Sequence, residues 1–240
     1  MRNLPAEKIV YFGDTARVPY GSKSRETIIG YSRQIIRFLK EQKVKAIVVA
    51  CNTASAFALE AVQEEFDIPI LGVIEAGAKV AAARTRNKRV GIIGTVGTVG
   101  SGIHAEYLRK LDPEITVFGK ACPLFVPLVE EGWLHDPVTT EVAVRYLREL
   151  QDKKVDTLIL GCTHYPLLRS TIREIMGEDV CLVNPAYETA LELGRLLTEK
   201  GLSSTGAQQK EFPYRFFVSD LADEFKAFAN SILPYDVEMT

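Results

Sequence analysis

The sequence has little that would favour a membrane, a secreted scaffold or a nucleic acid. It has no window of about 18 apolar residues, which excludes a transmembrane helix. The first twelve residues, MRNLPAEKIVYF, contain no apolar signal core, and the chain has only 4 cysteines, so we expect reduced thiols in the cytoplasm. The 29 Lys and Arg residues against 31 Asp and Glu give a net charge of −2, and no basic stripe indicates nucleic-acid binding.

What is present is the ordinary composition of a globular protein, arranged as short apolar runs that alternate with helical patterns. Of the 240 residues, 47% are hydrophobic and 25% are charged. The apolar runs predict strands at 8–12, 46–50, 69–72, 89–93, 115–118, 156–160, 180–183 and 214–218. The patterns between them predict helices at 24–41, 54–66, 139–150, 167–176, 187–200 and 221–232, and the polar stretch 201–210 predicts a surface loop. This alternation predicts parallel α/β layers, with ligands at the carboxyl ends of the strands.

One segment of the chain repeats the design of another. Residues 46–55 read AIVVACNTAS, and residues 157–166 read TLILGCTHYP. In each, an apolar strand and a small residue are followed by a cysteine, Cys51 or Cys162, and then by polar residues. Two halves that face each other would bring these two thiols to opposite sides of one cleft. At a strand-to-helix turn, the helix N-terminus should lower the pKa of each thiol.

Two facing thiols suit the inversion of a stereocentre, because one removes a proton from carbon while the other supplies one. The plainer interpretation is that each cysteine is a small buried hydrophobe, which is how we interpret Cys122 and Cys181. His164, two residues after Cys162, could orient that thiol or change its pKa. A zinc site at Cys51, Cys162 and His164 is a weaker alternative, because the sequence has no C-x-x-C pair.

Two further segments follow predicted strands. Residues 91–102, GIIGTVGTVGSG, lack the G-x-G-x-x-G spacing of a dinucleotide loop, and the alternatives are a carboxylate-binding turn with Thr95 and Thr98 or a tight turn. In the segment 12–22, Arg17 could bind a substrate carboxylate or form a surface salt bridge. His104 and His135 are predicted to be surface or loop residues without a function.

Five segments together resemble the glutamate racemases of the aspartate/glutamate racemase family. They read YFGDTARVPYG (11–21), ACNTAS (50–55), GTVGT (94–98), CPLFVPLVE (122–130) and LGCTHYP (160–166). The resemblance implies cofactor-independent interconversion of L- and D-glutamate, with D-glutamate supplied to peptidoglycan synthesis, by a cytoplasmic homodimer that binds neither nucleic acid nor membrane. It also implies two pseudo-twofold-related α/β domains with the active site between them. We expect these at 1–75 plus 185–240 and at 76–184.

Carried over residue by residue, the resemblance assigns roles to several positions. Cys51 and Cys162 would be the two bases, and His164 and Glu130 would assist proton transfer. The residues implied to hold the substrate are Tyr20, Gly21, Asn52, Thr53, Thr95, Thr98, Thr163 and His164. No metal ligand is implied.

The chain departs from the family at its beginning. Family members resemble one another in an opening strand that ends in Asp-Ser-Gly, which this sequence lacks, and Met1–Pro5 resembles the end of the helix that follows that strand. The Asp would assist the first cysteine and the Ser would hold substrate, so we expect the chain as written to be less than fully active. Two alternatives are a related racemase acting on aspartate or a hydantoin, and a non-catalytic amino-acid-binding protein on the same scaffold.

Overall fold

Strands and helices alternate along the chain in the computed structural model, which describes residues 3–204 and 214–233, without the side chains of residues 224, 228, 231 and 232. The strands are β1 Ile9–Gly13, β2 Ile47–Val49, β3 Ile70–Gly72, β4 Arg89–Gly94, β5 Thr116–Ala121, β6 Thr157–Gly161, β7 Cys181–Val183 and β8 Tyr214–Val218. The helices are α1 Arg25–Glu41, α2 Asn52–Glu65, α3 Ile74–Arg84, α4 Val96–Gly100, α5 Ile103–Leu111, α6 Phe125–Glu130, α7 Pro137–Asp152, α8 Arg169–Met176, α9 Pro185–Glu199 and α10 Ala222–Ile232.

A four-stranded parallel sheet, in the order β5-β4-β6-β7, forms the larger part of the framework. Its central strands β4 and β6 are continuous apolar runs because helices cover both of their faces. On one face Ile93 and Leu158 pack in a cluster with residues of α6, α7 and α8, and on the other Ile92 and Ile159 pack with residues of α3 and α5. The register pairs Gly94 with Gly161, so the carboxyl ends of β4 and β6 lie side by side.

The remaining strands form two parallel pairs, β1 with β8 and β2 with β3. Their core includes Ile28 and Ile36 of α1 and Ala58 and Val62 of α2. The predicted α/β class with parallel sheets is confirmed. The four-stranded sheet lies within the predicted domain 76–184 and the two pairs lie outside it, although the domain boundaries themselves stay a prediction.

Each predicted strand is present with small shifts at its ends, and the helical pattern that follows residue 102 corresponds to α5. Three helices, α3, α4 and α6, had not been predicted. In α3 the buried residues include Ala76, Ala78 and Ala81, and alanine contrasts only weakly with the exposed Glu75 and Lys79, so the helical period is faint. The predicted helix 167–176 begins instead as a 3-10 turn, Tyr165–Leu168, followed by α8.

The predicted loop 201–210 lies outside the described residues except for its first four. Among the helices that the structure describes, none has the length and apolar character needed to cross a membrane.

Candidate active site

Cys51 lies where β2 ends and α2 begins. It is the N-cap residue of α2, with an extended backbone (φ −83°, ψ 124°), and its side chain is partly exposed. The backbone N–H groups of Thr53 and Ala54 and the Thr53 hydroxyl all interact with its sulfur. The thiol therefore lies against the free amide groups of a helix N-terminus, which is the predicted setting.

Cys162 directly follows β6 and is buried. The backbone N–H groups of His164 and Tyr165 interact with its sulfur, and His164 Nδ1 lies 3.8 Å from Sγ. Tyr165 is fully buried below this turn and donates a 2.8 Å hydrogen bond to the carbonyl of Cys122. The turn that carries Cys162 is thereby fixed to the loop that follows β5.

His164 connects the Cys162 thiol to a carboxylate. Its Nε2 lies 3.2 Å from Glu130 Oε1, at the end of α6. An ionised carboxylate only accepts hydrogen bonds, so this contact needs a proton on Nε2, and in the neutral tautomer with that proton Nδ1 presents its lone pair. That lone pair faces Cys162 Sγ and Thr163 Oγ1, the latter at 3.5 Å. The arrangement can therefore accept a proton from the thiol.

Three threonine hydroxyls, which we call the hydroxyl cluster, join the two parts of the chain. Thr53 Oγ1 lies 2.9 Å from Thr95 Oγ1 and 3.0 Å from Thr98 Oγ1, and the last two are 3.0 Å apart. Thr53 belongs to α2, while Thr95 follows β4 and caps α4. Gly21 packs directly on Thr95, since a Cβ at Gly21 would lie 2.4 Å from Thr95 Cβ. Four of the predicted binding residues thus form one group.

The other predicted binding residues, Asn52, Tyr20 and Thr163, differ in their exposure and contacts. Asn52 is buried, and its Oδ1 has no hydrogen-bond partner among the residues that the structure describes. An acceptor left open in this way can take an N–H donor from a ligand. Tyr20 interacts electrostatically with Cys51, and its hydroxyl donates a short hydrogen bond to Asp14 Oδ2. Thr163 is exposed beside His164.

Comparison with known proteins identifies the family of this two-cysteine arrangement. The model of the family described as Asp/Glu/hydantoin racemase matches residues 2–191. The chain is 49% identical to a glutamate racemase from Geobacter metallireducens over 233 residues, covering 97% of this chain and 86% of that protein. The chain belongs to the Asp/Glu/hydantoin racemase family.

Solved structures of the family agree with this assignment. A glutamate racemase from Bacillus anthracis has a TM-score of 0.95 at 40% identity, over 100% of this chain and 89% of its own. A glutamate racemase from Francisella tularensis, in complex with D-glutamate, has a TM-score of 0.90 at 40% identity, over 98% of this chain and 87% of its own. The predicted resemblance and the predicted enzyme class, a racemase, are confirmed.

The N–H groups that follow each cysteine lower its thiol pKa, as expected, but the net shift of each pKa is upward. Burial raises the pKa of Cys51 and outweighs the N–H groups of Ala54 and Thr53 that lower it. The pKa of Cys162 is likewise raised, to about 12, because burial, together with the nearby Cys51 charge, outweighs the N–H groups of His164 and Tyr165 that lower it. The loss of hydration exceeds the gain from the amide dipoles. The charge of Cys51 is one cause of the raised pKa of Cys162, so the two thiols are coupled electrostatically, and the net shift of each pKa favours the neutral thiol.

Asp14, an acidic residue outside the predicted set, contacts one of the predicted binding residues, Tyr20. Asp14 Oδ1 accepts hydrogen bonds from Arg17 Nε at 2.8 Å and from Ser219 Oγ at 3.1 Å, while its Oδ2 accepts from Tyr20. Arg17 therefore forms an ion pair within the chain, which agrees with the salt-bridge interpretation and not with the binding of a substrate carboxylate. Asp14 follows β1 and Ser219 follows β8, so only the pairing of these strands brings the two residues together.

His104 contradicts its prediction. It is only 2% exposed and lies in the first turn of α5, not at the surface, whereas His135 is exposed as expected. Cys122 is buried, as predicted, and Cys181 is partly buried within β7. The residues that the structure describes contain no group of three or more His, Cys, Asp or Glu side chains that could hold a metal ion, so the zinc alternative gains no support.

Proposed function

We propose that this protein interconverts L- and D-glutamate by proton transfer between Cys51 and Cys162, without a cofactor. The observation that carries the proposal is the placement of the cysteines. Each follows a parallel strand of a different sheet, and the two are coupled electrostatically. The substrate is inferred from the relatives, which are named glutamate racemases and one of which is described in complex with D-glutamate.

In the proposed reaction one cysteine acts as a thiolate and the other as a thiol. The thiolate takes the Cα proton, and the thiol on the opposite face gives its proton to Cα, so the configuration inverts and the two protonation states are exchanged. A buried thiolate is a stronger base than a hydrated one, as the raised pKa of Cys162 indicates. Because the same residue type acts on both faces, the exchange is nearly thermoneutral.

The hydroxyl cluster and Asn52 are proposed to hold the substrate. Negative charge develops on the α-carboxylate while Cα is deprotonated, and hydroxyl donors aimed at that charge stabilise it. The Thr53, Thr95 and Thr98 hydroxyls can each turn a hydrogen towards a carboxylate, because their mutual hydrogen bonds can be exchanged for ligand bonds. The open Asn52 Oδ1 suits the substrate ammonium group. Tyr20, Gly21 and Thr163 complete the proposed binding set.

His164 and Glu130 are proposed to assist Cys162. With Nε2–H held by Glu130, Nδ1 can accept the thiol proton, and the carboxylate stabilises the imidazolium that results. This pair would generate the Cys162 thiolate when that residue acts as the base.

The cellular compartment, the use of the product and the oligomeric state are part of the same proposal. The reaction needs both cysteines as free thiols, and all four cysteines are free, which suits a reducing cytoplasm. The product D-glutamate would supply peptidoglycan synthesis, and the enzyme would act as a homodimer. Sedimentation of the purified protein tests the dimer, because a monomer at micromolar concentration would contradict it.

The deciding experiment is incubation with L-glutamate in heavy water. The proposal predicts loss of optical rotation together with deuterium at Cα. Cys51→Ser and Cys162→Ser should each reduce racemisation by about 10³-fold or more, because each face needs its own acid or base. Cys181→Ser, which changes a thiol within β7, is the matched control and should retain activity.

Three outcomes would contradict the proposal in different ways. Racemisation of aspartate but not glutamate would favour a related racemase. Glutamate binding without Cα exchange, in folded protein, would favour a non-catalytic binding protein. An active Cys51→Ser variant would refute the two-base mechanism. Comparing the rate with that of the Geobacter metallireducens enzyme tests the expectation that this 240-residue chain is less than fully active.

A further inference from the structure

Asp14 is a nearly buried acid that the proposed reaction does not use. It directly follows β1, and its side chain is only 6% exposed. A carboxylate in such a position is costly unless its oxygens accept hydrogen bonds. Its Oδ1 accepts from Arg17 Nε at 2.8 Å and from Ser219 Oγ at 3.1 Å, and its Oδ2 accepts from the Tyr20 hydroxyl. The carboxylate therefore connects the ends of β1 and β8 to the segment that begins at Tyr20.

The partner of Asp14 in the ion pair, Arg17, is itself held by α1. The central carbon of its guanidinium group lies 4.2 Å from the centre of the Tyr31 ring, and its Nη1 donates a 2.6 Å hydrogen bond to Gln34 Oε1. Tyr31 and Gln34 both belong to α1. Asp14 is thus supported by a helix as well as by two paired strands, so it can hold the side chain that contacts its other oxygen in one position.

Tyr20, the side chain that Asp14 holds, begins the 3-10 turn Tyr20–Ser22, which packs against the hydroxyl cluster. Burial, together with the hydrogen bond to Asp14, raises the pKa of Tyr20 well above its usual value, so the hydroxyl stays protonated and donates. A Cβ at Gly21, the next residue, would lie 2.4 Å from Thr95 Cβ, so the turn and the cluster are in close contact. A displacement of Tyr20 would therefore move Gly21 relative to Thr95.

We propose that Asp14 is a positioning residue, which sets the affinity for substrate by holding the turn Tyr20–Ser22 against the hydroxyl cluster. Within the described residues, its side-chain hydrogen bonds are those to Arg17, Tyr20 and Ser219, and neither active-site cysteine is among these partners. Its loss should therefore weaken substrate binding rather than proton transfer. The effect on the substrate rests on the proposed function, whereas the effect on the turn does not, and the two are measured separately.

The effect on the turn is tested by amide hydrogen exchange at Lys23, followed by NMR. The backbone N–H of Lys23 donates a 3.1 Å hydrogen bond to the Tyr20 carbonyl and so closes the turn. In Asp14→Ala and in Tyr20→Phe this amide should exchange at least about fivefold faster, because the turn loses its support. The Lys154 amide, which donates to the Gln151 carbonyl before β6, is the internal reference, and its exchange rate should not change.

The effect on the substrate is tested by steady-state glutamate racemisation. Asp14→Ala and Tyr20→Phe should each raise the KM at least about fivefold and change kcat less than about twofold, because binding is weakened while both thiols are kept. The double variant should raise the KM no further than Asp14→Ala alone, since both substitutions remove the same contact. Glu65→Gln is the matched control, because it removes another carboxylate that is ion-paired to arginine, and its KM should equal that of the unsubstituted protein.

The exchange rates decide whether Asp14 positions the turn. An unchanged rate at Lys23 would overturn the positioning role, and so would an equal increase at Lys154, because the substitutions would then loosen the whole protein. If Asp14→Ala does not fold, Tyr20→Phe decides alone, since it removes only the hydroxyl that contacts Asp14. If the protein does not racemise glutamate at all, the proposed function fails, while the exchange at Lys23 still decides the positioning.

The kinetic constants decide whether the positioning matters to the substrate. Faster exchange at Lys23 with an unchanged KM would overturn the effect on the substrate alone. A kcat that falls at least about tenfold with an unchanged KM would place Asp14 in proton transfer and would also overturn it. KM increases that multiply in the double variant would show that Asp14 acts by a route other than Tyr20.

Discussion

The raised pKa of Cys162 predicts how this thiol reacts with an alkylating reagent. Only the thiolate reacts, and burial raises the pKa from 9.0 to about 12. Three pKa units correspond to about 4 kcal/mol favouring the neutral form. At pH 8 the thiolate fraction is about 10⁻⁴, against about 10⁻¹ for a thiol of the ordinary value, so alkylation should be about 1,000-fold slower than in the unfolded chain.

The assay is reaction with iodoacetamide across a pH series, with the modification of each cysteine measured by peptide mass spectrometry. The same protein unfolded in urea is the reference. Restricted access would also slow the reaction, but it would not move the pH dependence. The rate at Cys162 should therefore keep rising about tenfold per pH unit beyond pH 10, whereas the unfolded reference levels off near pH 9. A plateau for folded Cys162 at or below pH 9 would refute the reasoning.

Three substitutions test other contacts of the site. Glu130→Gln removes the carboxylate that contacts His164 Nε2, so kcat should fall about 10–100-fold with little change in KM. An unchanged kcat in steady-state assays would contradict the proposal that Glu130 and His164 assist Cys162. Gly21→Ala would place a Cβ 2.4 Å from Thr95 Cβ, so the glutamate turnover rate should fall at least about tenfold while the circular dichroism spectrum stays native. An unchanged turnover rate would show that Thr95 can move aside without loss of activity. Tyr165→Phe removes a buried hydrogen bond and should lower the free energy of unfolding in urea by about 1–2 kcal/mol, whereas no change would mean that the hydroxyl contributes nothing.

The strands could be predicted because each is marked by a local run of apolar residues. Each apolar run of β-branched and aliphatic residues became a strand, since a parallel strand covered on both faces needs apolar side chains at every position. The alanine-rich helix α3 was missed because alanine contrasts only weakly with the exposed Glu75 and Lys79, so its amphipathic period is faint. The Gly-rich segment after β4 was interpreted as a turn, although Thr95 caps the short helix α4 within it.

Of the candidate site, only the residues that follow strands could be predicted from the sequence. Cys51, Cys162 and the threonines all follow strands, so their approach could be expected from the sequence. The contact of Asp14 with Ser219 depends on the pairing of β1 with β8, two strands that lie about 200 residues apart along the chain. No local sequence pattern predicts this pairing. The net upward shift of the thiol pKa values was not predicted, because burial cannot be read from neighbouring residues.

The two cysteine segments look equivalent in sequence, but the structure gives them different surroundings. Both sulfurs interact with backbone N–H groups of the residues that follow them. At Cys162 the imidazole of His164 stands 3.8 Å away with its far nitrogen held by Glu130, which gives a thiol proton somewhere to go. At Cys51 the side-chain contact is the Thr53 hydroxyl, which belongs to the hydroxyl cluster. A ligand held by that cluster would therefore act directly on the environment of Cys51, whereas Cys162 interacts with the Thr163 hydroxyl and has the His164 imidazole beside it. The repeated motif thus supplies two similar thiols, and His164, with its contact to Glu130, is the side chain that makes the surroundings of Cys162 different from those of Cys51.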